Sequence, residues 1–210
     1  MRVELTAPVK ELSNSRSLKR TRAARRLRKQ RDPAAGPALL EALQKEMKDP
    51  RTWETQYQIV MALCECGYRE ALPVLQEFAK NRLEATAVYT ALGDAIVRLS
   101  AESGNDIRPV LKAMRDSTEQ AYLDGAFRGM AVLRMIPTRS EIAEIMDFLA
   151  HLPADHYLRF WVAAAAPGWP PDLIEEFWER AKSLAGKILW TPRPLQGQVD
   201  TNSGGLFNKG

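Results

Sequence analysis

Between residues 53 and 64 the apolar side chains Trp53, Tyr57, Val60, Met61 and Cys64 recur at steps of three and four. That spacing lines one face of an α-helix. Asp49-Pro50 precedes the run and Gly67 follows it; proline favours a first helical turn, and glycine the position just past a last one. A second helix is predicted from about Arg69 to Lys80. Pro73 falls in its first turn, where the missing N–H costs least. Two helices in succession, each apolar on one side, cannot bury those sides alone.

The pattern repeats. Stepping by 36 residues superposes LRKQRDPAAGPALLEAL from Leu27, LCECGYREALPVLQEFA from Leu63 and LSAESGNDIRPVLKAMR from Leu99. Leu27, Leu63 and Leu99 coincide, as do Ala35, Ala71 and Ile107, then Pro37, Pro73 and Pro109, and Leu39, Leu75 and Leu111. Ala42, Phe78 and Met114 fall in register behind them, with Ala24, Val60 and Ile96 ahead. Two looser units follow. One pairs a helix around Ala121–Met135 with Ser140–Ala150, where Ile142, Ile145, Met146 and Leu149 share a face. The other pairs Tyr157–Ala166 with Asp172–Ser183, where Leu173, Phe177, Trp178 and Ala181 do so. Pro137, Pro153, Pro167, Pro170 and Pro171 mark the boundaries. No alternating strand pattern occurs. From Lys187 the chain is polar, rich in proline and glycine, and aperiodic.

The order leucine, short Gly- or Asp-bearing turn, alanine, proline, any residue, leucine resembles HEAT repeats, and among them the short bacterial HEAT-like type also found in phycobilin lyase relatives. The likeness spans about residues 16–183 and is tightest in the first three units. It implies an all-α, right-handed α-solenoid of about five helical hairpins, with each first helix on the convex side and each second helix on the concave side. It also implies binding rather than catalysis, with proteins as the usual ligands. Stacking follows from physics as well, since each hairpin needs neighbours to cover its apolar face. The expected organisation is an N-terminal extension over 1–15, the solenoid over 16–186 and a tail over 187–210.

Charge complicates the picture. Residues 1–31 hold eleven Lys or Arg against two Glu, whereas the remainder holds nineteen against twenty-four acids. An acidic body therefore carries a basic N-terminal end, pointing to an acidic protein surface or a nucleic acid as partner. The basic residues are Arg16, Lys19, Arg20, Arg22, Arg25, Arg26, Arg28, Lys29 and Arg31. A terminal repeat needs a polar outer face, so one reading is a solubilising cap. A cap would mix signs, however, and like charges at i,i+3 and i,i+4 each cost a helix about 0.2–0.5 kcal/mol. The other reading is a docking surface for an anionic partner, to which residues 16–31 could also bring nucleic acid. Against a long duplex footprint stand Glu141, Glu144, Asp147, Asp172, Glu175, Glu176 and Glu179 in the second helices of the last two units. These offer a surface for a basic partner. The basic stretch also lacks an aromatic side chain for base stacking. Opposite charges at the two ends would permit weak, salt-sensitive head-to-tail self-association.

Other chemistry is sparse. Cys64 and Cys66 lie two apart, about 200° around a helix, and cannot chelate one metal together. His151 and His156 flank Pro153 near Asp147 and Asp155, a weak metal pattern. No phosphate loop or nucleophile elbow is present, and neither metal nor cofactor is expected. Tyr157, Phe160, Trp161, Trp169, Phe177 and Trp178 form the densest aromatic group, read first as packing. Helical-repeat DNA glycosylases suggest a sharper reading, with Trp161, Asp124 and Arg128 as candidate pocket residues, though no residue-by-residue match supports it. The tail carries Ile188-Leu189-Trp190 and Leu206-Phe207, short clusters suited to docking or folding back. No apolar run of eighteen occurs, and the N-terminus shows no secretory pattern, so the cytoplasm is the expected compartment. The expected function is a non-catalytic protein-binding scaffold or adaptor; the alternatives are a nucleic-acid binder and, behind it, a repair enzyme.

Overall fold

The computed structural model describes residues 6–153, 155–173, 175 and 179. Ten helices are named here: α1 (Thr6–Glu11), α2 (Ser17–Gln30), α3 (Gly36–Glu46), α4 (Trp53–Glu65), α5 (Leu72–Ala79), α6 (Thr86–Ser100), α7 (Arg108–Asp116), α8 (Gln120–Val132), α9 (Arg139–Ala150) and α10 (Leu158–Ala165). No strand occurs among the described residues. Residues 171–173 are again helical. Beyond them Glu176, Phe177, Trp178 and the whole 187–210 tail lie outside the described residues.

Local sequence sets the ends of these helices. Pro37, Pro73 and Pro109 each stand in the first turn of a second helix, α3, α5 and α7. The α5 segment enters through a 3-10 turn over Arg69–Ala71, so the α-helix begins later than the sequence suggests. After α4, Gly67 adopts φ 66°. There Tyr68 N–H reaches Leu63 O at 3.1 Å and Gly67 N–H reaches Cys64 O at 3.0 Å, the two bonds of a Schellman stop. The α8 stop has the same bonds, Met135 N–H to Met130 O and Arg134 N–H to Ala131 O, but places Arg134 at φ 49° where glycine is favoured. Before α9, Thr138 and Glu141 close a reciprocal capping box.

The first helices do the stacking. Helices α2, α4, α6, α8 and α10 pack in that order, and the second helices α3, α5 and α7 each pack chiefly against the first helix of the next hairpin. The 36-residue register maps onto burial. Leu27, Leu63, Ala35, Ala71, Ile107, Leu39, Leu75, Ala24 and Val60 are fully buried, Leu99, Leu111, Ile96, Ala42 and Phe78 nearly so, and Met114 partly. Helix α1 was not legible in the sequence. It packs on α2 and, with Pro8 and Leu12 buried, adds to that end of the stack.

The core is in two parts. One runs from α2 to α6 and the other from α6 to α10, with Tyr122 against both. They meet where α6 crosses α8. A Cβ on Gly93 would lie 2.1 Å from Tyr122 O, and one on Gly125 only 2.0 Å from Thr90 O. Backbone therefore touches backbone at this crossing, and Gly129, one turn on, continues the close approach against Val97.

Candidate interaction surfaces

Helix α2 is built from strong helix formers on a two-alanine, one-leucine inner stripe. Ala23, Ala24 and Leu27 are buried, and Thr21 Oγ1 meets Thr55 Oγ1 at 2.7 Å across to α4. Its cations divide into two sets. Arg20 turns inward, paired through its guanidinium with buried Glu46 and donating to the Asn14 and Ser15 carbonyls. Arg28 lies 6.0 Å from the Tyr57 ring centre, Arg31 pairs with Glu65 at 3.2 Å, and Arg26 reaches Glu11 at 3.4 Å. Arg16, Lys19, Arg22, Arg25 and Lys29 are exposed, with no ion-pair partner among the described residues.

A charged file crosses the first helices. Arg98 of α6 donates to Glu65 of α4 at 3.2 Å. Asp94, one turn before Arg98, is wholly buried. Its carboxylate lies 3.8 Å from both Arg98 and Arg128 and accepts no hydrogen bond from the protein. Burial pushes the Asp94 carboxyl up against the pull of the two arginines. Burial pushes the Glu65 carboxyl up as well, but Arg98 and Arg31 outweigh it and hold the group below the usual range.

The acidic residues of the last units are less bare than the sequence implies. Glu141 serves the capping box, Glu144 takes a bidentate grip from Arg115 at 2.8 and 3.0 Å, and Asp172 pairs with Arg139. Asp147 and Glu175 are exposed, as is Glu179, while Glu176 lies outside the described residues.

At α10 the aromatic group splits. Trp169 is buried and donates Nε1–H to Met135 O at 2.9 Å. Trp161 donates Nε1–H to Asp124 Oδ1 at 2.6 Å, and Tyr157 O–H to Gln120 O at 2.9 Å. Phe160 stands edge-on to Trp161 with ring centres 5.0 Å apart, and is 66% exposed. The structure thus brings Trp161 and Asp124 together, with Arg128 one turn further along α8 and directed at Asp94.

Cys64 and Cys66 are buried and unpaired, and burial raises their thiols to about 12 and about 11. His151 Nδ1 sits 2.8 Å from Asp147 O, and His156 stacks on Tyr157. No cluster of three metal-ligating side chains occurs among the described residues. A cleft of about 680 Å³ opens between α5 and α7 over α6; its rim charges, Lys80, Arg108 and Lys112, are each paired with a neighbouring acid. Sequence reasoning missed the Arg20–Glu46 and Arg98–Asp94–Arg128 groupings. Only the i,i+4 spacing of Asp94 and Arg98 was a readable signal, because the other partners are 26 and 34 residues away.

A stack of helical hairpins in which proline opens each of three second helices and leucines fill the joints has the build of an α-solenoid and is similar to HEAT-like repeats. The family model described as PBS lyase HEAT-like repeat matches residues 19–45, which cover most of α2 and α3. No curated protein and no solved structure matches the chain.

Proposed function

We propose that the chain is a non-catalytic protein-interaction module whose α2 docks an acidic segment of a partner protein. One observation carries this. On a helix anchored by Ala23, Ala24 and Leu27, the neighbouring cations Arg22, Arg25 and Lys29 project to solvent without an acid to neutralise them. Such an arrangement costs the helix stability, and that cost is offset when a partner supplies the negative charge. HEAT-like repeats commonly mediate protein interactions, in keeping with this use. No helix of the described residues is long and apolar enough to cross a membrane, and a reducing, cytoplasmic setting suits two buried free thiols.

The test replaces Arg22, Arg25 and Lys29 together with Gln and titrates a labelled decaglutamate peptide, a duplex DNA and a single-stranded RNA across a salt series. The peptide is expected to bind the unaltered chain at low salt and the variant at least tenfold more weakly. The variant's melting temperature stays level or rises. Tighter binding of DNA or RNA than of the peptide, with affinity falling steeply in salt as several phosphate contacts require, would instead establish the nucleic-acid reading. Release of alkylated bases from duplex DNA is the matching assay for the repair-enzyme reading, and none is expected.

A further inference from the structure

We propose a second docking site at the corner of α8 and α10, which takes an arginine side chain from a basic protein segment. The observations are separate from those on α2. Phe160 is 66% exposed and Tyr157 41% exposed, a large aromatic surface to leave in water at the end of the first-helix row. Edge-on to Phe160, the Trp161 indole is fixed by its bond to Asp124 Oδ1. The second Asp124 oxygen has no partner among the described residues and lies at the same corner as the rings. Burial, and then the charges of Asp124 and Glu119, raise the Tyr157 phenol, so both carboxylates lie near its ring.

The nearby arginines are engaged elsewhere. Arg128 faces the buried Asp94 carboxylate at 3.8 Å. Arg159 reaches the Pro153 and Leu152 carbonyls at 3.2 Å. What remains is a carboxylate oxygen beside aromatic rings held at a fixed edge-to-face angle of 71°. A guanidinium satisfies both parts at once. Its flat face covers an aromatic ring while its N–H edge donates to a carboxylate. An ammonium offers a point charge with no plane to stack. An anion would meet Asp124.

The test follows the Trp161 indole N–H resonance by two-dimensional NMR, assigned by its loss in Trp161→Phe. The probe is the peptide acetyl-Gly-Arg-Gly-Arg-Gly-Arg-Gly-amide, with lysine and citrulline versions alongside. The arginine peptide is expected to shift this resonance saturably, several-fold more tightly than the lysine peptide, and the citrulline peptide not at all. Asp124→Asn keeps an acceptor for the indole and removes the charge, so it should weaken binding at least fivefold. Phe160→Ala, at an exposed position, should weaken it several-fold with the fold intact. The triple Gln variant of α2 should bind as the unaltered chain does. An unmoved indole resonance, equal affinity for lysine or citrulline, or undiminished binding by Asp124→Asn would each overturn the proposal.

Discussion

Leu63 shows how much rests on single side chains. It is fully buried in α4 at the repeat position shared with Leu27 and Leu99. Removing its branched end leaves a cavity that backbone-anchored neighbours fill only partly, so Leu63→Ala should cost about 2–5 kcal/mol. Urea denaturation checks this, and an unchanged midpoint would refute the register. Arg134 is the converse case. It is exposed and held at φ 49° at the end of α8, a conformation that strains any residue with a Cβ by about 1–2 kcal/mol. Arg134→Gly should therefore raise stability by about 1 kcal/mol by the same measurement. Nothing in the local sequence announces that strain, since the apolar pattern around Met130 and Met135 reads as plain helix.

Individual elements were mostly readable because their caps and periodicity agree. The proline-led second helices, the Gly67 stop and the burial of Ile142, Ile145 and Leu149 on α9 all follow from spacing alone. The candidate site was less legible, because contacts such as Trp161 with Asp124 depend on how one hairpin meets the next. The basic stretch illustrates this: composition marks nine cations, but only packing shows that Arg20 and Arg28 are half-buried and that Arg31 pairs with Glu65. The α6–α8 crossing was hidden too, although Gly125 and Gly129 stand four apart. Gly125→Ala should be costlier than its size suggests, at or beyond the top of the ~1–3 kcal/mol usual for overpacking. The obstruction is the Thr90 carbonyl, which cannot swing aside. Thermal unfolding of the variant checks it. The turn before α7 supplies a pH handle. Arg108 bonds to Asp106, and the N–H groups of Glu102 and Arg108 add to it, lowering the Asp106 carboxyl from 3.8 to about 2. A carboxyl depressed in the folded state stabilises above its unfolded value, and that stability is lost as pH falls through the folded one. Stability should thus drop between about pH 4 and pH 2, and Asp106→Asn should flatten that part of the curve.

Across the whole molecule, charge is arranged unevenly. The α2 end keeps unpaired cations, whereas Arg115 and Arg139 already hold Glu144 and Asp172 at the other end. Exposed pairs are worth about 0–1 kcal/mol and are screened by salt. Head-to-tail association should consequently be confined to low ionic strength, with sedimentation velocity giving a monomer near physiological salt. A dimer that persists in high salt would point to apolar contacts instead. The glycine crossing bears on the mechanics of the stack. A solenoid behaves as a spring because its turns slide on deformable side chains. At the joint of α6 and α8 backbone meets backbone at Gly93 and Gly125, with no side chain there to yield, so that turn is stiff. Pulled by its ends, the protein should flex in the hairpins on either side, as two compliant coils joined by a rigid link.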